Sequence, residues 1–131
     1  MNKDGLFYFS KSHEWIGKDS NSNKYRIGIS DFAQSELGDV VYVFLPESGK
    51  TYRKDEKIGE IESVKSVSEI YSPADIKIIS INSNLNDTPE LINHDPFGAG
   101  YIAEVEPLNP ADLNILMDDN SYRIFIVSHH E

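Results

Sequence analysis

The stretch Glu62-Ser63-Val64-Lys65-Ser66-Val67-Ser68-Glu69-Ile70-Tyr71-Ser72-Pro73 decides how this chain is read. One lysine stands among small and β-branched residues, with carboxylates on either side and a Ser-Pro stop behind it. β-Branched residues suit the pleated backbone of a strand, and proline interrupts it. The pattern predicts short strands over 57–62 and 68–71, bracketing a hairpin tip that holds the Lys65 amine in water. An amine so placed is open to acylation by a modifying enzyme, which would make the domain the carrier of a swinging arm. Most hairpin lysines are merely solvated, and taken alone Lys65 reads as one of them.

Outward from the hairpin, the chain alternates short strands and turns. Tyr25, Ile27 and Ile29 alternate with Arg26 and Gly28, the period of a half-buried strand. Asp31 with Gln34 three residues on has the form of a capping box, and Gly38 that of a C-terminal stop, so one short helix is expected between them. Val40-Val41-Tyr42-Val43-Phe44 is too β-branched and aromatic for a helix and predicts a strand buried on both faces. Pro46-Glu47-Ser48-Gly49 reads as a turn.

A further strand is expected over 76–81, and a late one carries Tyr101, Ala103 and Val105 and stops at Pro107. Gly98-Ala99-Gly100 forms the turn before it, and Pro110 favours a helix over 111–117. The tail is ambiguous: Tyr122, Phe125 and Ile126 have helical spacing, but Ile124 to Val127 are strand formers. The whole predicts one mostly β domain over 1–131, a small sandwich or barrel with short peripheral helices.

Composition narrows the function. The 131 residues are 39% hydrophobic, enough for a modest core. No apolar run could span a bilayer, and the first residues lack the layout of a signal or transit peptide, so no membrane role and a bacterial cytoplasmic location are expected. A mitochondrial matrix location stays open if a presequence has been removed. There is no cysteine, hence no disulfide, no thiolate nucleophile and no cysteine-based zinc site. Twelve basic side chains are scattered among 22 acidic ones for a net charge of -10, which argues against a nucleic-acid partner.

Catalytic and metal motifs are weak. No pair of His13, His94, His129 and His130 has the spacing of a helical two-histidine site. His129-His130-Glu131 could bind metal adventitiously but reads as a frayed polar end. No nucleophile elbow is present, and Gly98-Ala99-Gly100 does not join a strand to a helix as a phosphate loop would. No catalytic residue is assigned.

Several segments occur together in order: Ser12-His13-Glu14-Trp15, Gly28-Ile29-Ser30-Asp31-Phe32-Ala33-Gln34, Leu37-Gly38-Asp39-Val40-Val41-Tyr42-Val43 and Glu62-Ser63-Val64-Lys65-Ser66-Val67-Ser68. Tyr71-Ser72-Pro73, Pro89-Glu90-Leu91-Ile92-Asn93 and Asp95-Pro96-Phe97-Gly98 follow. Across about residues 6–127 this run closely resembles the H proteins of the glycine cleavage system, the lipoyl-bearing shuttles of that complex. Biotinylated lysines usually sit between methionines, and lipoyl domains of 2-oxoacid dehydrogenases usually place an acid just before the lysine. Val64 and Ser66 depart from both patterns.

The resemblance implies a hybrid barrel-sandwich of two small antiparallel sheets, a helical tail over 121–127, and lipoic acid bound to Lys65 as lipoyl-lysine. Gly49, 16 residues before Lys65, matches a family glycine, but Ile76 stands where a glycine 11 residues after it is usual, which questions the turn at Ala74-Asp75. The implied function is a non-enzymatic carrier. It would take an aminomethyl group from glycine decarboxylase (P protein) to the aminomethyltransferase (T protein), with reoxidation by dihydrolipoamide dehydrogenase (L protein). Ser12, Glu14 and Glu69 are the implied cleft that shelters the arm, and Trp15 is expected in the core. Glu62 and Glu69 are the candidates for recognition by a lipoate ligase or lipoyl/octanoyl transferase. The alternatives are a scaffold that relays lipoate to other proteins and an unmodified interaction module.

Overall fold

The computed structural model describes residues 5–19 and 24–129. His130 and Glu131, part of the terminal trio weighed for metal, lie outside them. The elements in order are β1 (Gly5–Phe9), β2 (Glu14–Asp19), β3 (Tyr25–Ile29), α1 (Asp31–Leu37), β4 (Val40–Phe44), β5 (Thr51–Tyr52), β6 (Lys57–Ser63), β7 (Val67–Tyr71) and β8 (Ile76–Ile81). Then come α2 (Asn84–Asp87), α3 (Leu91–His94), β9 (Ala103–Pro107), a 3-10 helix (Pro110–Ile115) and α4 (Asp119–His129).

Two antiparallel sheets form an open sandwich, one of six strands in the order β1-β2-β3-β9-β8-β5 and one of three in the order β4-β6-β7. This is the mostly β architecture with short helices expected above. Between the sheets lies a core of mainly branched aliphatics, among them Ile16, Ile27, Ile61, Ile70, Ile76 and Ile102. No described helix is long and apolar enough to cross a membrane.

Two-sided burial falls on a different strand from the one expected. In β4, Val41, Tyr42 and Phe44 are 52%, 43% and 47% exposed. The reason is position: β4 is an edge strand of the smaller sheet, and these side chains lie on its face turned away from the core. Burial on both faces is seen in β2, where the consecutive Trp15 and Ile16 point to opposite faces and are 1% and 0% exposed. Ile16 enters the inter-sheet core, while Trp15 joins Phe7, Phe9 and Tyr122 in a second, aromatic cluster beneath α4. Its indole N–H donates to the carbonyls of Ile29 at 2.9 Å and Pro96 at 3.2 Å.

Three local expectations change in detail. The N-cap of α1 is Ser30, whose hydroxyl accepts from the Ala33 N–H at 3.1 Å, while the Asp31 carboxylate takes the Gln34 side-chain amide at 2.9 Å. The segment after Pro110 closes as a 3-10 helix ending at Ile115, because Met117 pairs instead with Phe9 of β1. The late strand begins at Ala103 rather than Tyr101. The turn before β8 needs no glycine at 76: Ser72 Oγ donates to the Ala74 carbonyl at 2.6 Å, and Ile76 is a buried strand residue paired with Tyr52 and Pro107. At Gly49, φ is +86°, the left-handed region that glycine enters at no steric cost, and the turn over 46–49 stands.

The tail is helical, and the packing of Tyr122 explains why. Its ring stacks on Phe9 with centroids 4.2 Å apart. Its hydroxyl reaches His13 Nδ1 at 2.7 Å and Ser30 Oγ at 2.6 Å. Burial pushes the phenol up to about 12, so the hydroxyl stays protonated. Burial also lowers the His13 pKa below its ordinary 6.5, with Glu36 opposing. The folded state therefore favours neutral imidazole, and the stability that His13 contributes is present above pH 6.5 and lost as acid protonates the ring. His13 sits at φ +76°, which asparagine tolerates well. His13→Asn should flatten the decline of Tm between about pH 7 and 5. Parallel Tm–pH profiles for variant and wild type would contradict this.

Candidate functional site

Lys65 is exposed at the two-residue tip of the β6–β7 hairpin, where the sequence pattern put it. Neither Val64 nor Lys65 adopts positive φ, so the turn is not one of the mirror-image types that favour Asn-Gly. Ser63 holds it together instead. Its N–H donates to the Ser66 carbonyl at 2.8 Å, and its hydroxyl accepts from the N–H groups of Lys65 at 3.3 Å and Ser66 at 3.1 Å. A serine before the tip thus replaces the usual turn chemistry and lets a β-branched valine and a long lysine occupy it.

The tip is also braced from behind. The Val64 N–H donates to the Asp39 carbonyl at 3.0 Å. Asp39 is in turn fixed by Asn93 of α3, whose amide N–H donates to the Gly38 carbonyl at 2.8 Å while its oxygen accepts from the Val40 N–H at 2.9 Å. Gly38 has φ +78°, and a methyl there would lie 3.3 Å from Lys65 Cε. Glycine at 38 both ends α1 and leaves room for the lysine stem. Asn93 was quoted within a motif, but nothing in its spacing marked it as a brace.

Beside the tip opens a cleft of about 420 Å³ whose lining includes Ser12, Glu14, Phe32, Leu37, Ser68 and Glu69. One wall is the free edge of β7. Antiparallel pairing turns the backbone groups of Ser68 toward β6 and those of Val67 and Glu69 away from it. On the same edge the Tyr71 N–H donates to Glu14 Oε2 at 3.0 Å.

Glu14 is 2% exposed. Its Oε1 accepts from the hydroxyls of Ser10, at 2.7 Å, and Ser12. Burial raises its pKa above the ordinary carboxylate value, outweighing the hydrogen bonds from Ser12, Tyr71 and Ser10 that lower it. The family resemblance implied Ser12 and Glu14 here; Ser10 and the Tyr71 backbone complete the cluster and were not anticipated.

Glu69 contributes differently. Strand alternation sets it opposite Glu60 on the outer face, with Ile61 and Ile70 buried on the inner one. Its carboxylate takes the Tyr71 hydroxyl and lies 3.4 Å from Lys57 Nζ. These two contacts, the hydroxyl first, hold its pKa below the usual value. Glu69 therefore lines the cleft at the β7 edge while its carboxylate is held outside. Glu62 lies on the same outer face, paired across the ladder with Val67. Among the described residues no group of three or more His, Cys, Asp or Glu could hold a metal.

Comparison with known proteins matches this geometry to one family. A family model described as glycine cleavage H-protein matches residues 7–129. A glycine cleavage system H protein from Symbiobacterium thermophilum is 47% identical over 117 residues, covering 89% of this chain and 90% of that one. Another from Listeria monocytogenes is 46% identical over 114 residues, with 87% and 90% covered. The crystal structure of a glycine cleavage system H protein from Mycobacterium marinum superposes with a TM-score of 0.81 at 31% identity, over all of both chains. The chain belongs to the glycine cleavage H-protein family.

Proposed function

We propose that this chain is the lipoyl-bearing shuttle of a glycine cleavage system, a single carrier domain that is a substrate of other enzymes rather than a catalyst. The observation that carries the reading is the exposed Lys65 amine on a braced two-residue tip, beside a cleft whose roughly 420 Å³ is of small-molecule size. These residues fit an amide-linked lipoyl group: the lysine nitrogen is free to be acylated and its stem has a glycine to lie against. Lipoic acid held on Lys65 would supply a disulfide able to carry an aminomethyl group between the glycine decarboxylase (P protein) and the aminomethyltransferase (T protein), with dihydrolipoamide dehydrogenase (L protein) as the enzyme that reoxidises it. A lipoate ligase or lipoyl/octanoyl transferase would attach it. Bacterial relatives support a cytoplasmic setting.

The chain's own residues position and shelter. Ser63 and Asp39 hold the tip out, so partners in turn can reach one nitrogen. In the cleft, Glu14 offers the buried acceptor for a protonated amine, with Ser12 beside it and the outward carbonyls of Val67 and Glu69 along the wall. A cation entering this space favours the ionised form of Glu14, opposing the upward shift that burial imposes. Glu69 would serve here through its backbone, because Tyr71 and Lys57 already hold its carboxylate.

Two outcomes are expected. Lys65→Arg keeps charge and bulk but cannot form the lipoyl amide; it should fold as wild type, gain no mass with lipoate ligase and support no glycine-dependent CO2 exchange. A lipoyl adduct on that variant, or a wild-type chain left bare, would defeat the reading. Glu14→Gln keeps size and one acceptor but removes the charge. The carried aminomethyl group should then be lost to water about tenfold faster, the equivalent of about 1.4 kcal/mol for one charge-assisted hydrogen bond. Unchanged loss would remove Glu14 from the role.

A further inference from the structure

Side chains from three parts of the fold meet at one hydroxyl. Tyr122 Oη of α4 lies 2.6 Å from Ser30 Oγ, the N-cap of α1, and 2.7 Å from Nδ1 of His13, in the turn between β1 and β2. The backbone repeats the tie, with the Ser30 N–H donating to the His13 carbonyl at 3.0 Å. Tyr122 does not line the cleft beside Lys65, but His13 does, together with Ser12, Glu14 and Glu36.

The protons give these bonds a direction. Ser30 is buried, and its oxygen already accepts from the Ala33 N–H at 3.1 Å. Among the described residues its own proton has one acceptor, the Tyr122 oxygen. Serine and phenol hydroxyls each have a single proton to give. With Ser30 donating to Tyr122, the phenol proton goes to His13 Nδ1, which is therefore the bare nitrogen of the ring. The ring proton is left on Nε2, which meets no hydrogen-bond partner among the described residues. The reverse order, His13 to Tyr122 to Ser30, would strand a buried serine proton, which is costly.

The surroundings agree with this order. Burial raises the Tyr122 pKa, and the Ser30 bond opposes it, as a donor to the phenol oxygen would. Burial lowers that of His13, with the carboxylate of Glu36 on α1 opposing. The other ionisable groups of the cleft are Glu14, next to His13 in the chain, and Glu69 on β7, whose carboxylate is held outside. Phe32 of α1 packs on the imidazole with ring centroids 4.9 Å apart and fixes its plane.

We infer that Tyr122 is a positioning residue for the cleft: between Ser30 and His13 it holds the imidazole as a fixed Nε2–H donor, so that the space receiving the loaded arm contains no bare imidazole nitrogen. The inference rests on the reading of Lys65 as the lipoyl lysine. An aminomethyl group on sulfur is retained while its nitrogen keeps the ammonium proton. Once a base takes that proton, the nitrogen lone pair forms a C=N bond and the C–S bond breaks with its electron pair on sulfur. Water then adds at carbon, and formaldehyde and ammonium are released. A bare Nε2 in the cleft would be such a base, and an Nε2–H is not.

The test has two readouts. On the unmodified protein, NMR of nitrogen-labelled histidine at about pH 8, above the ordinary imidazole range, should show His13 protonated at Nε2 and bare at Nδ1. Tyr122→Phe keeps a ring to stack on Phe9 but gives Nδ1 no donor. The two tautomers should then mix, while Trp15 emission stays as in wild type. On the lipoylated, aminomethyl-loaded protein, Tyr122→Phe should lose the carried group several-fold faster. Asparagine at 13 offers a side-chain N–H and no base. His13→Asn and His13→Asn/Tyr122→Phe should therefore lose the group at one rate, slower than Tyr122→Phe alone. A wild-type His13 bare at Nε2, tautomers unmoved by Tyr122→Phe, or a Trp15 red shift in that variant overturns the inference. So does a mixed tautomer with unchanged loss, or faster loss from the double variant than from His13→Asn. A wild-type chain that takes no lipoyl group overturns the reading of Lys65 instead, whichever tautomer the NMR shows.

Discussion

A buried carboxylate ties the two sheets together. Glu14 opens β2 in the larger sheet, yet its Oε2 receives the Tyr71 N–H from the edge of β7 in the smaller one. A buried charge is costly unless its lone pairs are filled, and the hydroxyls of Ser10 and Ser12 fill the other oxygen. The same bond lies on the β7 edge that walls the cleft beside the hairpin. Architecture and site therefore share one contact, and the polar cluster that closes the sandwich also furnishes the cleft's acidic floor.

A second set of bonds converts an ordinary hairpin into a rigid post. The chain of contacts runs from Asn93 through Gly38 and Asp39 to Val64, so a helix remote in sequence determines where the lysine emerges. Hairpin tips are commonly the mobile end of a sheet. Here the protein spends polar side chains to keep this one still while leaving the lysine itself unencumbered.

The hairpin was legible because its signal is local: β-branched runs, a small-residue turn and a Ser-Pro stop lie within a dozen residues. The strands over 25–29 and 76–81 and the stop at Gly38 were legible for the same reason. What failed was anything decided by the neighbouring layer. Val40 to Phe44 has the composition of a buried strand, but burial depends on what packs outside, and among the described residues Val41, Tyr42 and Phe44 stay exposed. Strands β1 and β2 were passed over because burial on both faces of β2 erases its alternation. The tail could not be assigned by pattern, since Tyr122 is drawn into a helix by Phe9, His13 and Ser30, all distant along the chain. At the site, the hairpin pattern singled out Lys65, and the resemblance implied Ser12, Glu14 and Glu69 as cleft candidates. The outward turn of the Glu69 carboxylate follows from strand parity, and the roles of Ser10 and Asn93 from partners that no spacing reveals.

The aromatic cluster under α4 holds the chain's one tryptophan, on the face of β2 turned away from the inter-sheet core. Intrinsic fluorescence is thus a built-in gauge of whether the C-terminal segment is fastened down. Quenching or a red shift registers its detachment, whereas events at the lysine tip leave the indole dark to them, and the two can be followed separately in one cuvette.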